Sequence, residues 1–272
     1  MFELFQYTFF QNAMLGALLT SIACGIVGSY VVVRRLVFIS GGITHASFGG
    51  LGLGIYLGIN PIISGLIFAI LSALGVEWMS KKQGVREDSA IAVFWAFGMA
   101  LGVIFIFLTP GFAPNLSTFL FGNILTITQL DLVLNAILIL LLFVFFGLFF
   151  YPILFVAFDN EYARSQKMPV RFIEYGMMIF IAITIVLTSR MIGIILLISL
   201  LTIPQITANL FTANFRTIIY SSVAIGFIGC VSGLFLSYYL NVPSGAFIIF
   251  MLVIIYLVSK TFTSIRKARN NT

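Results

Sequence analysis

The stretch Ser40-Gly41-Gly42-Ile43-Thr44-His45-Ala46-Ser47-Phe48-Gly49-Gly50 carries the only histidine among 272 residues, set among small side chains in an apolar segment. It follows the double arginine Arg34-Arg35 by about eleven residues, which at ~1.5 Å per helical residue places the imidazole ~16 Å deep, near the middle of a bilayer. An ionisable group at that depth is costly and faces a pathway or a partner. One reading makes it a ligand on such a pathway, and as a ligand imidazole suits zinc, iron, copper and nickel while manganese and magnesium favour oxygen. The alternative is a histidine that only packs and hydrogen bonds. Other ionisable groups within apolar segments are few: Glu77 and Glu174 near segment ends, and Asp131 at the edge of another. There is no Gly-x-x-x-x-Gly-Lys phosphate loop and no pair of histidines at helical spacing, so the residues point to transport rather than to an enzyme. Cys24 and Cys230 lie inside apolar runs at a spacing that suits packing rather than a metal clip.

These residues sit in a chain that is 61% hydrophobic and 8% charged, with thirty phenylalanines. A water-soluble domain of this size could not cover so much apolar surface, so the expected fold is an all-α polytopic membrane helix bundle. Nine segments are long enough to span, at about 9–33, 38–58, 61–79, 89–109, 131–157, 170–188, 191–211, 217–240 and 244–262. The stretch 110–130 leaves the count open between eight and ten, because it could hold a short re-entrant helix. The first segment lacks a basic leader and a cleavage site, so it reads as a retained span. With the amino terminus outside and the carboxyl terminus cytoplasmic, thirteen of the fourteen basic residues face the cytoplasm and only Arg190 does not. The net charge of +6 therefore belongs to membrane topology and not to nucleic acid. Short loops leave one transmembrane domain, 1–272, without a soluble catalytic part. Small residues spaced by three or four allow close helix packing, and Gly41-Gly42 could instead line a path or break the helix to expose carbonyls.

Several motifs, taken in order, carry a resemblance. Asp159-Asn160-Glu161-Tyr162-Ala163-Arg164-Ser165-Gln166-Lys167-Met168-Pro169 resembles the Asp-Pro-Glu-Phe-Ala-Arg-Ala-x-Gly loop of the permeases of zinc and manganese ATP-binding-cassette importers. Arg86 to Ala92 with Gly98 to Gly102, Phe121 to Leu125, Gly193 to Leu197 with Leu200 to Pro204, and Leu236 to Ala246 are similar to further segments of that family, and the opening stretch resembles its Gly-Asp-Ala-x-Ser-His-Ala run. The resemblance implies a homodimer or a paired permease in a prokaryotic plasma (inner) membrane, each copy carrying a separate cytoplasmic ATPase that binds the ATP. An extracytoplasmic protein would deliver the metal, and the chain itself would hold no resident cofactor. It implies that His45 is a transient ligand on the path, that Gly41, Thr44, Ser47 and Pro204 line that path, and that Asp159, Glu161, Ala163 and Arg164 belong to the helix that couples to the ATPase. Asp159 is placed to cap that helix.

Three departures matter. The family's aspartate four residues before the histidine is Gly41 here, which removes a carboxylate from the same helix face and inclines the metal toward zinc over manganese or iron. Lys167 stands where the loop has glycine, which bears on how the coupling helix ends. Gln205 replaces a small residue after Pro204; it could add an oxygen ligand where the proline frees a carbonyl, or hydrogen bond to a neighbouring helix. Alternative readings are a permease for a chelated metal or cofactor, an ion-coupled secondary transporter, and a purely structural subunit. The secondary transporter lacks the chain of buried carboxylates or histidines that proton relays use.

Overall fold

The computed structural model describes residues 6–110 and 124–270. In a hydrocarbon solvent every backbone N–H and C=O needs an internal partner, and a helix supplies it within one segment. The helices are α1 (Thr8–Val33), α2 (Val37–Leu57), α3 (Pro61–Gln83), α4 (Glu87–Leu108), α5 (Gln129–Phe158), α6 (Asn160–Ser165), α7 (Val170–Ile192), α8 (Ile194–Leu200), α9 (Ile203–Asn209), α10 (Phe215–Leu240) and α11 (Ser244–Asn270). No strand occurs among the described residues. Among the described residues seven helices, α1, α3, α4, α5, α7, α10 and α11, are long and apolar enough to cross a membrane. α2 has a span's length, 21 residues, with glycines and His45 diluting its hydropathy. It runs unbroken through Gly41-Gly42, so the local unwinding considered from the sequence does not occur.

The segment expected at 191–211 is the irregular one. α7 continues past Ser189-Arg190 to Ile192, and Gly193 turns the chain at φ 80°, ψ 165°, a conformation that needs glycine. α8 and α9 are then separated at Leu201-Thr202, with Pro204 in the first turn of α9, where its missing N–H costs nothing. Most of the stretch suggested to be re-entrant, and part of the Phe121 to Leu125 motif, lies outside the described residues; Ile124–Thr126 forms a 3-10 turn before α5. Within α5, Pro152 removes a helical bond and Phe149 leaves helical geometry at φ −116°, ψ 23°, so the last third of the helix is set off by a kink.

Charges collect at two opposite ends. Arg34 closing α1, Lys81 late in α3, Glu87 opening α4 and Glu174 early in α7 lie together. At the other end Arg190 of α7 meets Asp131 of α5 at 3.2 Å. The one basic residue that the charge rule set apart is thus also set apart in space, with an acidic partner. Arg216, opening α10, stacks on Phe150 at 4.5 Å. Cys24 and Cys230 are free and fully buried.

The tightest seam joins α2 and α4, backbone to backbone. A Cβ on Gly102 would lie 2.7 Å from the Phe48 carbonyl oxygen, and one on Gly52 would lie 2.6 Å from that of Gly102. Neither backbone can yield locally, and overpacking of this kind costs about 1–3 kcal/mol. Gly147, by contrast, has nothing among the described residues within 4 Å of an added Cβ. Gly102→Val is expected to lower the thermal midpoint of the detergent-solubilised protein by several degrees, and Gly147→Val to leave it unchanged, as read by fluorescence-detected size exclusion.

Candidate functional site

His45 lies in the middle of α2, half-buried, with its ring stacked on Trp95 of α4 at 4.5 Å between centroids and 8° between planes. Phe48, one turn further along α2, is 6.0 Å away on the same side. The stack fixes the imidazole plane, and its Nδ1 is buried without a hydrogen-bond partner among the described residues. A buried polar atom left unpaired in this way normally has a reason, and a ligand is one such reason.

Gly41 shares the helix face. A Cβ there would meet only Trp95 at 3.6 Å and Ile198 at 3.8 Å, both ordinary contacts. A side chain could therefore begin at position 41 without displacing its neighbours at the Cβ. Thr44 and Ser47 lie on another face of α2. Thr44 Oγ1 donates to the Ser40 carbonyl at 2.5 Å and Ser47 Oγ to the Thr44 carbonyl at 2.6 Å. With Phe48, Ser189 and Arg190 they line a cavity of about 30 Å³ beside α7, room for roughly one or two waters. Arg190 reaches this cavity while its Nε holds Asp131, whose other oxygen accepts from the Thr128 N–H and hydroxyl at the start of α5.

Gln205 is fully buried and turned to α1: its Nε2 donates to the Cys24 carbonyl at 2.8 Å and to the Leu200 carbonyl at 3.1 Å. The second bond satisfies a carbonyl left at the break between α8 and α9, and the first ties that break to α1. This is the helix-to-helix arrangement that the sequence offered as its second option. Oε1 of Gln205 is buried without a partner among the described residues. Pro204 beside it is buried. His45 and Gln205 thus spend their contacts on different helices, and no group of three or more His, Cys, Asp or Glu side chains that could hold a metal exists among the described residues.

The loop after α5 forms the short helix α6. Asp159, in extended geometry, caps it by accepting from the Tyr162 N–H at 2.9 Å. Ala163 is fully buried, while Glu161, Tyr162 and Arg164 are exposed, so one face is anchored and the other is open. Lys167 adopts φ 56°, the left-handed conformation that a glycine would take without strain, and the helix ends at Ser165 in the same manner that the glycine would give. Asn160 donates to Glu174 Oε1 at 2.6 Å, joining α6 to α7.

Two features escaped the sequence reading. Trp95 looked like any other aromatic in a span, since nothing in the chain marks it as the partner of His45. Glu174 and Glu77 were seen as isolated end charges, yet Glu174 gathers Lys81 at 2.7 Å, Arg34 at 3.6 Å and Asn160. Only the fold brings those positions together.

The chain is 38% identical over 262 residues to an uncharacterized membrane protein of Synechocystis, covering 96% of this chain and 93% of that one. It is 31% identical over 256 residues to the manganese import system permease protein ScaB of Streptococcus gordonii, covering 94% and 92%. Among solved structures it is similar to PsaBC from Streptococcus pneumoniae, in complex with Fab, with a TM-score of 0.81 at 28% identity, covering 94% and 92%. The ABC 3 transport family matches residues 6–263, which takes in every helix discussed above except the tip of α11. With that match across nearly its whole length, this multi-pass chain belongs to the ABC 3 transport family.

Proposed function

We propose that the chain is the permease of an ATP-driven importer of divalent transition-metal ions, with His45 as a transient ligand on the path. The observation that carries this reading is the imidazole itself: central in α2, held flat on Trp95, with Nδ1 buried and unpartnered. The proposed orientation puts the end bearing Arg34, Lys81 and α6 in the cytoplasm and the amino terminus outside. There α6 would present Glu161, Tyr162 and Arg164 to a separate ATPase, and ATP binding would rock the two permease copies of a homodimer. An extracytoplasmic binding protein would load the outer face, and Thr44, Ser47, Gly41 and Pro204 would line the way inward. One imidazole without a neighbouring carboxylate makes a weak site, and two copies of His45 facing across the dimer keep it weak enough to release the ion.

The name of the streptococcal relative makes manganese the first ion to test, with zinc second; the inclination to zinc rests only on the loss of the carboxylate at Gly41.

His45→Ala is expected to cut the initial rate of radioactive manganese or zinc uptake at least tenfold. Stability should fall only by the value of the ring stack, about 0.5–1.5 kcal/mol, because no hydrogen bond of Nδ1 is lost. Uptake at the wild-type rate by that variant returns His45 to a packing role. Gly41→Asp supplies the carboxylate one turn before the imidazole. It is expected to raise the melting temperature in the presence of manganese or zinc where the wild type shows none, and to slow turnover. No metal-dependent shift in that variant would mean that this face of α2 does not meet the ion.

A further inference from the structure

We propose that Asn160 and Glu174 form the latch through which α6 passes its displacement to the rest of the bundle, making them positioning residues for transport. The inference rests on α6 being the surface that meets the ATPase. The backbone alone is a poor transmitter at this place. Asp159 separates α6 from α5 in extended geometry, and α5 is itself kinked at Phe149. On the other side Lys167 at φ 56° and Pro169 separate α6 from α7. Buried Ala163 and the ring contact of Tyr162 with Phe155 seat this six-residue helix, and what they do not supply is a polar tie to the charged end of the bundle.

Asn160 is that tie. Its Nδ2 donates at 2.6 Å to Glu174 Oε1, a carboxylate whose side chain is only 3% exposed. The same oxygen meets Lys81 of α3 at 2.7 Å and Arg34 of α1 at 3.6 Å. Arg34 in turn reaches Glu87 of α4 at 3.6 Å and the Val156 carbonyl, in the kinked third of α5, at 3.5 Å. Lys81 also approaches Glu77 at 3.9 Å. One carboxylate therefore links the short helix to α1, α3 and α7 directly, and to α4 and α5 through Arg34. α4 then leads to the proposed path. Glu87 lies in its first turn, and Trp95, eight residues on, is the face against which His45 stacks. Because α2 and α4 pack backbone to backbone, a shift of α4 carries His45 and Trp95 together.

The test uses the permease assembled with its ATPase and binding protein in proteoliposomes, reading metal uptake and ATP hydrolysis side by side. Asn160→Asp sets a second carboxylate against Glu174. Association with the ATPase and basal hydrolysis should stay within twofold of wild type, while uptake per ATP falls at least tenfold. Adding Glu174→Gln restores the hydrogen bond with donor and acceptor exchanged and returns the net charge of the cluster to its wild-type value, with the carboxylate moved from position 174 to position 160. Uptake per ATP should return to within threefold of wild type. A merely structural contact would not produce loss and recovery of coupling at constant hydrolysis. Should Asn160→Asp fail to assemble, Asn160→Ala removes the amide without adding charge and is expected to lower uptake per ATP about fivefold. Normal coupling in the assembled Asn160 variant, or no recovery in the double variant, overturns the latch. Glu161→Arg, on the open face of α6, separates this outcome from failure of the docking surface. It should weaken ATPase association, and if it leaves association unchanged, the functional reading of α6 falls instead.

Discussion

A carboxylate withdrawn from water has to be paired, and Glu174 sets the terms for one end of this molecule. Leaving it buried with its partners removed would cost about 3–5 kcal/mol. Satisfying it requires Lys81 of α3, Arg34 of α1 and Asn160 of α6 to arrive at one point from distant places in the chain. The ends of α1, α3 and α7 and the start of α4 converge there, and α6 is oriented by the same oxygen. The opposite end repeats the logic on a smaller scale, with Asp131 capping α5 and holding Arg190. Between the two ends the packing is largely apolar, broken by His45, by Asn135 against Met191, by Gln205 bonded across to α1, and by small hydroxyls such as Thr20 and Ser29 that bond back to their own helix.

Backbone contact sets the middle of the bundle. Gly52, Gly98 and Gly102 let α2 and α4 approach until carbonyl oxygens meet α-carbons, which makes the pair one body. Lipid offers little hydrophobic drive for helices to associate, so such contact is what holds a seam together. The consequence for chemistry is that His45 and Trp95 keep their relation whatever the bundle does. Any change in what the imidazole can reach must come from elements beyond the pair, such as the broken segment α8–α9 or a second copy of the chain.

Much of this could be read from the sequence. The helices follow from apolar length and the two charged ends from the distribution of Lys and Arg, because both signals are local. The cap on α6 and its boundaries within a few residues followed from Asp159 and the loop's resemblance. Long-range pairing was not legible. Nothing around Trp95 announces that it faces His45, and Glu174 shows no sign of its partners because they lie far apart in sequence. Gln205 left two options that spacing alone could not separate, and burial against Cys24 and Leu200 decided its hydrogen bonds. Lys167 looked like a departure until its left-handed φ showed that the turn tolerates it.

The central claim is that ATP-driven motion of the cytoplasmic end moves a metal ion past His45. The most direct measurement is uptake of radioactive manganese and zinc into proteoliposomes holding the permease and its ATPase, energised by ATP, by a non-hydrolysable analogue, or by a proton gradient alone. Multiple-turnover uptake is expected with ATP only, and is lost when the ATPase is omitted. Accumulation driven by the gradient without the ATPase would contradict it.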